Sequence, residues 1–339
     1  MAERWFAVRR DLSPRRQTLL TVGAFVLPLL VWCVISYVPF VWHPLITVTN
    51  PGGSSFLAKD MMIDRGMFAA ENAKVVAEGK PAAEGYRSNP VFLPPPHAVG
   101  RALYTAFLTP PVRKGEPWLH ESLWHSLTII FWGFTAAAII GVPIGVLCGT
   151  FDFFAKLTEP FVDFIRYMPA PAFGALMVAV CGINDGPKIA IIFIGTFFQL
   201  VLVVANTTRQ TDRALLEAAQ TLGAKGRHLV LHVVLPGILP NLYNDLRILL
   251  GWAWTYLIVA ELIGASSGIS YFINQQGKYR NYDNVFAGII MIGMIGLITD
   301  QVLAILGRVL FPWQGKPPGK LGKIILACVG LFRRKKVAV

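Results

Sequence analysis

Long apolar blocks divide this sequence, and they constrain its fold more than any other feature. A block of about 18 or more mostly apolar residues can cross a bilayer as a helix. Hydrophobic residues make up 54% of the chain and charged residues only 15%, which is too apolar for a soluble globular domain. The sequence therefore predicts an all-α integral membrane protein with about six transmembrane helices. The predicted spans are residues 19–42, 123–149, 161–181, 189–205, 238–263 and 285–310.

The basic residues predict how these spans are oriented. The formal net charge is +12, and Lys and Arg are concentrated at both ends of the chain and in its central loop. Cytosolic segments of membrane proteins carry such an excess, so both termini are predicted to be cytosolic. This distribution also indicates that the positive charge faces the lipid bilayer rather than a nucleic acid.

The predicted spans divide the chain into five regions. They are a basic cytosolic N-terminus at 1–18, a first transmembrane helix at 19–42, an external segment at 43–122 with a surface helix near 96–108, a five-helix core at 123–313 that includes a loop at 207–237, and a basic cytosolic tail at 314–339. Residues 43–90 contain no apolar run long enough to cross a bilayer, and 62–78 are predicted to form a surface helix. We interpret this segment as a solvated insertion, with contact to an external protein as the alternative.

Two local patterns predict how particular spans pack. Gly141, Gly145 and Gly149 fall four residues apart in the second span, which places them on one helix face and lets another helix approach closely. Pro169 and Pro171 lie inside the third span and are predicted to kink or interrupt it, because proline lacks the N–H that a helix needs.

The loop between the fourth and fifth spans has more internal structure than a simple connection requires. Apolar residues recur at helical spacing from Leu215 to Leu222, which predicts a short amphipathic helix capped by Asp212 or Thr211. Gly223 and Gly226 predict a sharp reversal, since glycine adopts positive φ without steric cost. A second helical piece is predicted to follow, and Pro236 to end it. A short amphipathic helix exposed to the cytosol is typical of a docking surface for another protein.

This loop resembles the EAA loop of ABC-importer permeases, whose pattern is EAA-x3-G-x9-I-x-LP. Over residues 91–313 the chain is similar to the nitrate/sulfonate/taurine branch of that family; residues 43–90 depart from it. The residues that match the loop pattern are Glu217, Ala218, Ala219, Gly223, Leu235 and Pro236, with Val233 in place of isoleucine. Further segments similar to that branch are Leu93–Pro96, Leu246-Arg247-Ile248, Trp252 to Trp254, Val259-Ala260-Glu261 and Ala265–Ile269.

The resemblance implies a function and a set of partners. The chain would be the permease of a binding-protein-dependent importer in the bacterial inner (cytoplasmic) membrane, working by alternating access. Its partners would be cytosolic ATPase subunits, a second permease subunit as a homodimer, and an external solute-binding protein. ATP and Mg would be held by the ATPase, and this chain would hold no cofactor. The residues expected to contact the ATPase are Leu216, Glu217, Ala218, Ala219, Leu222, Gly223, Ala224, Leu235 and Pro236.

Ionisable residues inside spans are costly and are therefore candidates for the translocation pathway. Arg247 is expected to attract an anion, or else to reach the cytosolic interface or pair with Asp245 or Asp163. Glu261 is expected to gate the pathway or to make a structural hydrogen bond. Arg166 and the aromatic residues Trp252, Trp254 and Tyr256 complete the candidates, with interface and packing roles as their alternatives.

The sequence also excludes some chemistry and leaves the solute open. It contains no phosphate-binding loop, no readable nucleophile–base pair and no predicted metal site, so the chain is not predicted to be an enzyme. A small anion such as nitrate, a sulfonate, taurine or bicarbonate is the expected solute. The alternative function is an ion-coupled secondary transporter that uses Asp245, Glu261 and Asp300 as ion sites.

Overall fold

The computed structural model describes residues 13–38, 43–89, 92–110, 118–263 and 267–314. The described residues form two compact units, one drawn from 1–109 and 275–287, and the other from 110–274 and 288–339. The predictions for the N-terminus at 1–12 and for the tail at 315–339 lie outside the described residues.

The first unit contains the long helix α1, Pro14–Tyr37, which begins on a proline. None of the most apolar window of α1 is buried, which suits a helix whose sides contact lipid. Its Trp32 indole donates to the Pro94 carbonyl at 3.1 Å, and the Trp32 ring stacks on Phe286 at 5.6 Å. The first span, predicted at 19–42, is confirmed as a helix over residues 19–37. The helix starts earlier, at Pro14, and ends at Tyr37, while residues 39–42 lie outside the described residues.

The insertion after α1 is a small α/β element. Its strands are β1 (Leu45–Asn50), β2 (Met62–Asp64) and β3 (Glu84–Ser88), with helix α2 (Arg65–Ala77) between the last two. The sheet is antiparallel in the order β2-β1-β3. A buried cluster that includes Val48, Ile63 and Phe68 holds helix and sheet together.

The sequence predicted the helix of this insertion but not its sheet. Asp64 caps α2 by accepting from the Gly66 N–H at 2.8 Å, so the helix starts at Arg65 and residues 62–64 form a strand instead. The strands are too short to show a clear alternation, and each depends on a partner distant in sequence. Helix α3, Pro96–Leu108, follows at the predicted place.

Four of the remaining helices are also long and apolar enough to cross a membrane. The described residues therefore contain five such helices, or six spans if one bent pair of shorter helices is counted as a single span. This confirms the predicted fold class of a helical membrane protein with about six spans. The elements are α4 (Leu119–Thr150), α5 (Asp152–Arg166), a 3-10 turn (Ala170–Phe173), α6 (Gly174–Cys181), α7 (Asp185–Arg209), α8 (Arg213–Thr221), α9 (Gly226–Leu229), a π-helical segment (Val230–Val234), α10 (Leu235–Ile263), α11 (Ile269–Lys278), α12 (Tyr282–Leu310) and a 3-10 turn (Pro312–Gln314).

The bent pair replaces the predicted third span. Pro169 and Pro171 lie at the break between α5 and α6, whose axes differ by 87°, so the predicted interruption is confirmed. The predicted start of this span at residue 161 is wrong, because the helix already begins at Asp152. Charged residues recur every three or four positions along α5, so the first half of this helix contains no long apolar block.

The prediction that Pro236 ends a helix is also wrong. The chain is helical from Gly226 to Ile263, and Pro236 lies in the first turn of α10. The preceding π-helical segment makes a wider turn, in which the Leu235 N–H donates to the Val230 carbonyl. A proline in the first turn after such a segment can be accommodated without breaking the helix.

Helices α4 and α7 pack closely along the predicted glycine face. Gly133, Ala137, Gly141, Gly145 and Gly149 continue the four-residue spacing over most of α4. A Cβ added to Gly145 would lie only 2.6 Å from the Val204 Cβ, and added Cβ atoms at the other glycines would also collide with α7. The absence of side chains on this face is therefore what allows the two backbones to approach.

Replacing Gly145 with Ala is expected to destabilise the protein. The added methyl group must displace Val204, and overpacking of this kind costs about 1–3 kcal/mol. Gly293→Ala is the matched control, since nothing lies within 4 Å of the added atom. Thermal unfolding in detergent should show a lower midpoint for Gly145→Ala and an unchanged or higher one for Gly293→Ala, because alanine favours helix. Equal midpoints would contradict the close approach.

Candidate coupling loop and translocation cavity

The loop at 207–237, which the resemblance to the EAA loop identifies as the candidate coupling loop, begins with a capped helix. The Asp212 carboxylate accepts a hydrogen bond from the Ala214 N–H at 2.9 Å, which makes Asp212 the N-cap of α8. Of the two caps that the sequence allowed, the structure uses this one. The Thr211 hydroxyl instead donates to the Thr208 carbonyl at 2.7 Å, at the end of α7.

The loop reverses direction at Gly223. The Ala224 N–H donates to the Ala219 carbonyl at 3.0 Å and the Gly223 N–H to the Gln220 carbonyl at 2.9 Å, which is a Schellman motif. This motif requires a left-handed residue, and φ of Gly223 is +91°. Gly226 is also left-handed, with φ of +48°, so both predicted glycine turns are confirmed.

The two sides of α8 differ in burial. Leu216 packs against a buried cluster that includes Val234 and Ile238, so it attaches the helix to the chain's own core. Leu222 is 89% exposed and Leu215 49% exposed, which leaves two large apolar side chains facing outward. The outward side of α8 is therefore accessible to another protein.

The other predicted contact residues divide in the same way. Glu217, Ala218 and Pro236 are exposed, as is the backbone at Gly223, while Ala219 and Ala224 are partly buried. Leu235 packs against the same buried cluster as Leu216. We call the exposed members of this set, together with the exposed Leu215, the coupling surface; its residues are Leu215, Glu217, Ala218, Leu222, Gly223 and Pro236.

Arg247 lies near the middle of α10 and pairs with a carboxylate on α12. Its Nε donates to the Asp300 Oδ1 at 2.6 Å. The partners considered from sequence, Asp245 and Asp163, are wrong. Asp245 accepts from the Thr207 hydroxyl, and Asp163 pairs with Arg166.

Two neighbouring cavities meet beside this ion pair. One, of about 350 Å³, is lined by Arg247, Asp300 and small or apolar residues of α10 and α12. The other, of about 360 Å³, lies between α4, α10 and α12 and is almost wholly apolar. Leu250, Trp254 and Thr299 line both, so the two cavities are adjacent. We call the two together the groove, and the ion pair lies at its polar end.

Only one of the three candidate aromatic residues lines these cavities. Trp254 lies two turns after Arg247 on the same face of α10 and forms part of the wall of both. Trp252 is 51% exposed on another face of the helix, and Tyr256 packs against Gly195 of α7. The spacing of Arg247 and Trp254 was visible in the sequence. Asp300 as partner was not, because it is 53 residues away.

Glu261 is fully buried and lies at neither cavity. One carboxylate oxygen accepts from the Ser126 hydroxyl of α4, and the other accepts from the Ser270 N–H at 2.8 Å. The Ser126 oxygen in turn accepts from the Ile269 N–H at 3.0 Å. A side chain on Gly268, whose φ is +112°, would collide with this carboxylate. Glu261 therefore ties the start of α11 to α4, as the structural alternative predicted.

A charged cluster that the sequence analysis missed lies at the start of α7. Lys188 is 1% exposed and donates to the Asp185 Oδ1 at 3.0 Å. The second Asp185 oxygen is 2.9 Å from the His125 Nε2, and the Ser267 hydroxyl is 3.2 Å from the His125 Nδ1. The predicted fourth span began after Lys188, which is why this buried lysine was not considered an intramembrane charge.

Arg166 is separate from the cavity residues. It ends α5, where its Nε pairs with the Asp163 Oδ1 at 2.9 Å and its guanidinium lies 4.9 Å from the centre of the Tyr167 ring. It lines neither cavity. These contacts are those of an interface charge, the alternative that the sequence analysis gave for Arg166.

Replacing Glu261 with Gln is expected to destabilise the protein, even though the two side chains have nearly the same shape. Both oxygens of Glu261 accept hydrogen bonds, and an amide offers only one acceptor. If that acceptor keeps the Ser270 N–H, the Ser126 hydroxyl must turn to the Ser122 carbonyl, 3.0 Å away, and the hydrogen bonds of a carboxylate are replaced by weaker amide ones, at a cost of about 1 kcal/mol. The thermal midpoint in detergent should fall clearly. Glu84→Gln, at an exposed position of β3, is the control and should leave it unchanged. A Glu261→Gln protein as stable as wild type would rule out the bracing role.

The comparisons with known proteins agree with this architecture. Residues 141–311 match the family described as "Binding-protein-dependent transport system inner membrane component". The taurine transport system permease protein of Escherichia coli is 33% identical over 232 residues, covering 67% of this chain and 82% of that protein. A putative aliphatic sulfonates transport permease protein of Bacillus subtilis is 36% identical over 191 residues, covering 55% of this chain and 68% of that protein.

A solved structure shows that the fold itself is similar. The structure of the MetNI methionine ABC transporter in an inward-facing conformation contains a chain that matches with a TM-score of 0.52 at 20% identity. The match covers 56% of this chain and 94% of that one. The nitrate import permease protein of Synechocystis is a more distant relative in sequence, 25% identical over 226 residues, 66% of this chain and 82% of that protein. This chain belongs to the family of binding-protein-dependent transport system inner membrane components, among the ABC permeases of the taurine, sulfonate and nitrate type.

Proposed function

We propose that this chain is the membrane-spanning permease of an ATP-driven importer for a small oxyacid solute, of the sulfonate or nitrate kind. The coupling surface carries the proposal, since a capped helix with exposed apolar side chains can bind another protein and be displaced by its movement. The names of the relatives supply the solute class. The cavity beside Arg247 supplies a place in which a solute with a negative group can rest.

The partners follow from this function. Cytosolic ATPase subunits hold ATP and Mg and receive the coupling surface, and this chain holds no cofactor. A second copy of the permease completes the pathway, and an external binding protein delivers the solute. With both termini in the cytosol of a bacterium, residues 43–89 lie on the outer side of the inner membrane, where the binding protein docks.

The mechanism transmits displacement through connected helices. ATP binding closes the ATPase dimer and moves α8, whose Leu216 is packed against the core formed by α4, α7 and α10. Because the chain is helical from Gly226 through α10 to Ile263, a shift at the loop also moves Arg247 and the cavity wall. A rigid-body tilt of this kind opens the cavity to one side of the membrane at a time.

The ion-coupled alternative is not favoured. Its three carboxylates already have partners: Asp245 is bonded to Thr207, Asp300 to Arg247 and Glu261 to Ser126 and Ser270. Membership of a binding-protein-dependent family also favours an ATPase as the source of energy.

Uptake into vesicles tests the source of energy. The permease, its ATPase and its binding protein are reconstituted with taurine or another sulfonate outside and ATP inside. Uptake should require ATP and persist when ionophores abolish the proton and sodium gradients. Uptake that follows a gradient and ignores ATP would contradict the proposal and return attention to the carboxylates.

Replacing Leu222 with Arg should detach the ATPase. The side chain is 89% exposed, so the protein should still fold, while a charge is placed in the apolar part of the contact. Affinity purification in mild detergent should recover at least about tenfold less ATPase, as expected for loss of an interface anchor. Leu108→Arg, at a residue 60% exposed at the end of α3, is the control and should retain the ATPase.

Gly223 supplies a second test of the same surface. Gly223→Val should also release the ATPase, because valine resists positive φ and the Schellman turn must change. Gly223→Asn should keep it, since asparagine tolerates the left-handed region. If both variants bind the ATPase as wild type does, the loop geometry does not control the contact.

A further inference from the structure

We propose that the polar end of the groove binds a small zwitterion, with Arg247 receiving its oxyacid group and Asp300 its ammonium group. This inference rests on the import function proposed above and narrows its solute class. The geometry is specific: the Arg247 Nε and the Asp300 Oδ1 are 2.6 Å apart at the wall of a cavity of about 350 Å³. The two side chains are 29% and 38% exposed, so a solute in the cavity can reach both.

The ion pair keeps hydrogen-bonding capacity for a ligand. Arg247 donates to Asp300 through Nε, and among the described residues no acceptor lies at its two Nη groups. Likewise, Asp300 is engaged through Oδ1, which leaves Oδ2 as an acceptor. Two adjacent N–H groups of a guanidinium match two oxygens of a sulfonate or carboxylate, and a carboxylate oxygen matches an ammonium N–H.

The charges of the pair disfavour a simple anion. An anion that approaches Arg247 also approaches the Asp300 carboxylate, and the repulsion offsets most of the attraction when both charges are within a few ångströms. A zwitterion meets an opposite charge at each end. Its binding also leaves neither protein charge unpaired in a low-dielectric part of the membrane, where unpaired charge is costly.

The rest of the groove limits the size of the solute. Gly251 and Gly296 line the cavity on α10 and α12 and keep it open next to the ion pair, while Leu250 and Trp254 form an apolar wall. A cavity of this volume lies at the lower end of the range for ligand sites, so it suits a few heavy atoms rather than a large molecule. The class that fits is an oxyacid and an amine joined by a short apolar chain, such as an aminosulfonate.

Direct binding to the permease tests this assignment without the binding protein. The purified chain in nanodiscs is titrated with taurine, a zwitterion, and with isethionate, in which a hydroxyl replaces the ammonium group. Wild type should bind taurine at least about tenfold more tightly than isethionate, the difference expected for one charged hydrogen bond. Equal or tighter binding of isethionate, or binding of neither probe, would overturn the proposal.

The variant Asp300→Asn should reverse the preference. Taurine should bind about tenfold more weakly, since the ammonium loses its acceptor charge, and isethionate should bind more tightly to the unopposed Arg247. Asp163→Asn is the control: it also removes the carboxylate of an arginine pair, but away from the cavity, and should change neither affinity. An unchanged taurine preference in Asp300→Asn would show that the pair is structural only.

A second variant keeps the test valid if Asp300→Asn folds poorly. Arg247→Gln combined with Asp300→Asn removes both charges and leaves two amides that can hydrogen-bond to each other. It should fold and show no preference between the probes. ATP-dependent uptake distinguishes failure of the zwitterion proposal from failure of the proposed import function. If the wild-type protein takes up isethionate in preference to taurine, the zwitterion proposal is refuted and the import function stands. If it binds taurine but shows no ATP-dependent uptake, the import function is refuted.

Discussion

The close approach of α4 and α7 is the contact on which the larger of the two units depends. Helices in lipid gain little from the hydrophobic effect, so they must be held by close packing and by polar contacts. The glycine face of α4 provides that packing along most of its length, with Val204 and Leu200 of α7 filling the space. The same two residues continue into the cluster that holds Val234 and Ile238, so α10 is positioned by the α4–α7 pair.

The coupling surface and the cavity are joined through this cluster. Leu216 of α8 packs on it, and the unbroken helix from Gly226 to Ile263 leads from the loop to Arg247. The prediction of a helix end at Pro236 would have placed a hinge between them. The structure has no helix end there, and a continuous helix transmits a displacement from the loop to Arg247 that a hinge would absorb.

The sequence predicted what depends on neighbouring residues. The Asp212 cap, the left-handed Gly223 and the glycine face of α4 each rest on a few residues within one or two helical turns, and the structure contains all three. It did not predict the pairing of Arg247 with Asp300 or the sheet of the insertion, since both join residues far apart in the chain. The prediction for Pro236 was wrong because a π-helical segment precedes it, and a proline in the first turn after such a segment does not end the helix.

The ionisable residues of the spans differ in how completely their hydrogen bonds are satisfied. Glu261 is fully buried, and each of its oxygens already accepts a hydrogen bond, so a solute has neither access nor a free acceptor there. The Arg247–Asp300 pair is partly exposed to a cavity and joined by one short contact. Burial cost alone does not distinguish a brace from a binding site, because both kinds of residue carry it. Remaining hydrogen-bonding capacity, together with access, does distinguish them. By this measure Glu261 is the brace, and Arg247 on the same helix is the candidate for solute binding.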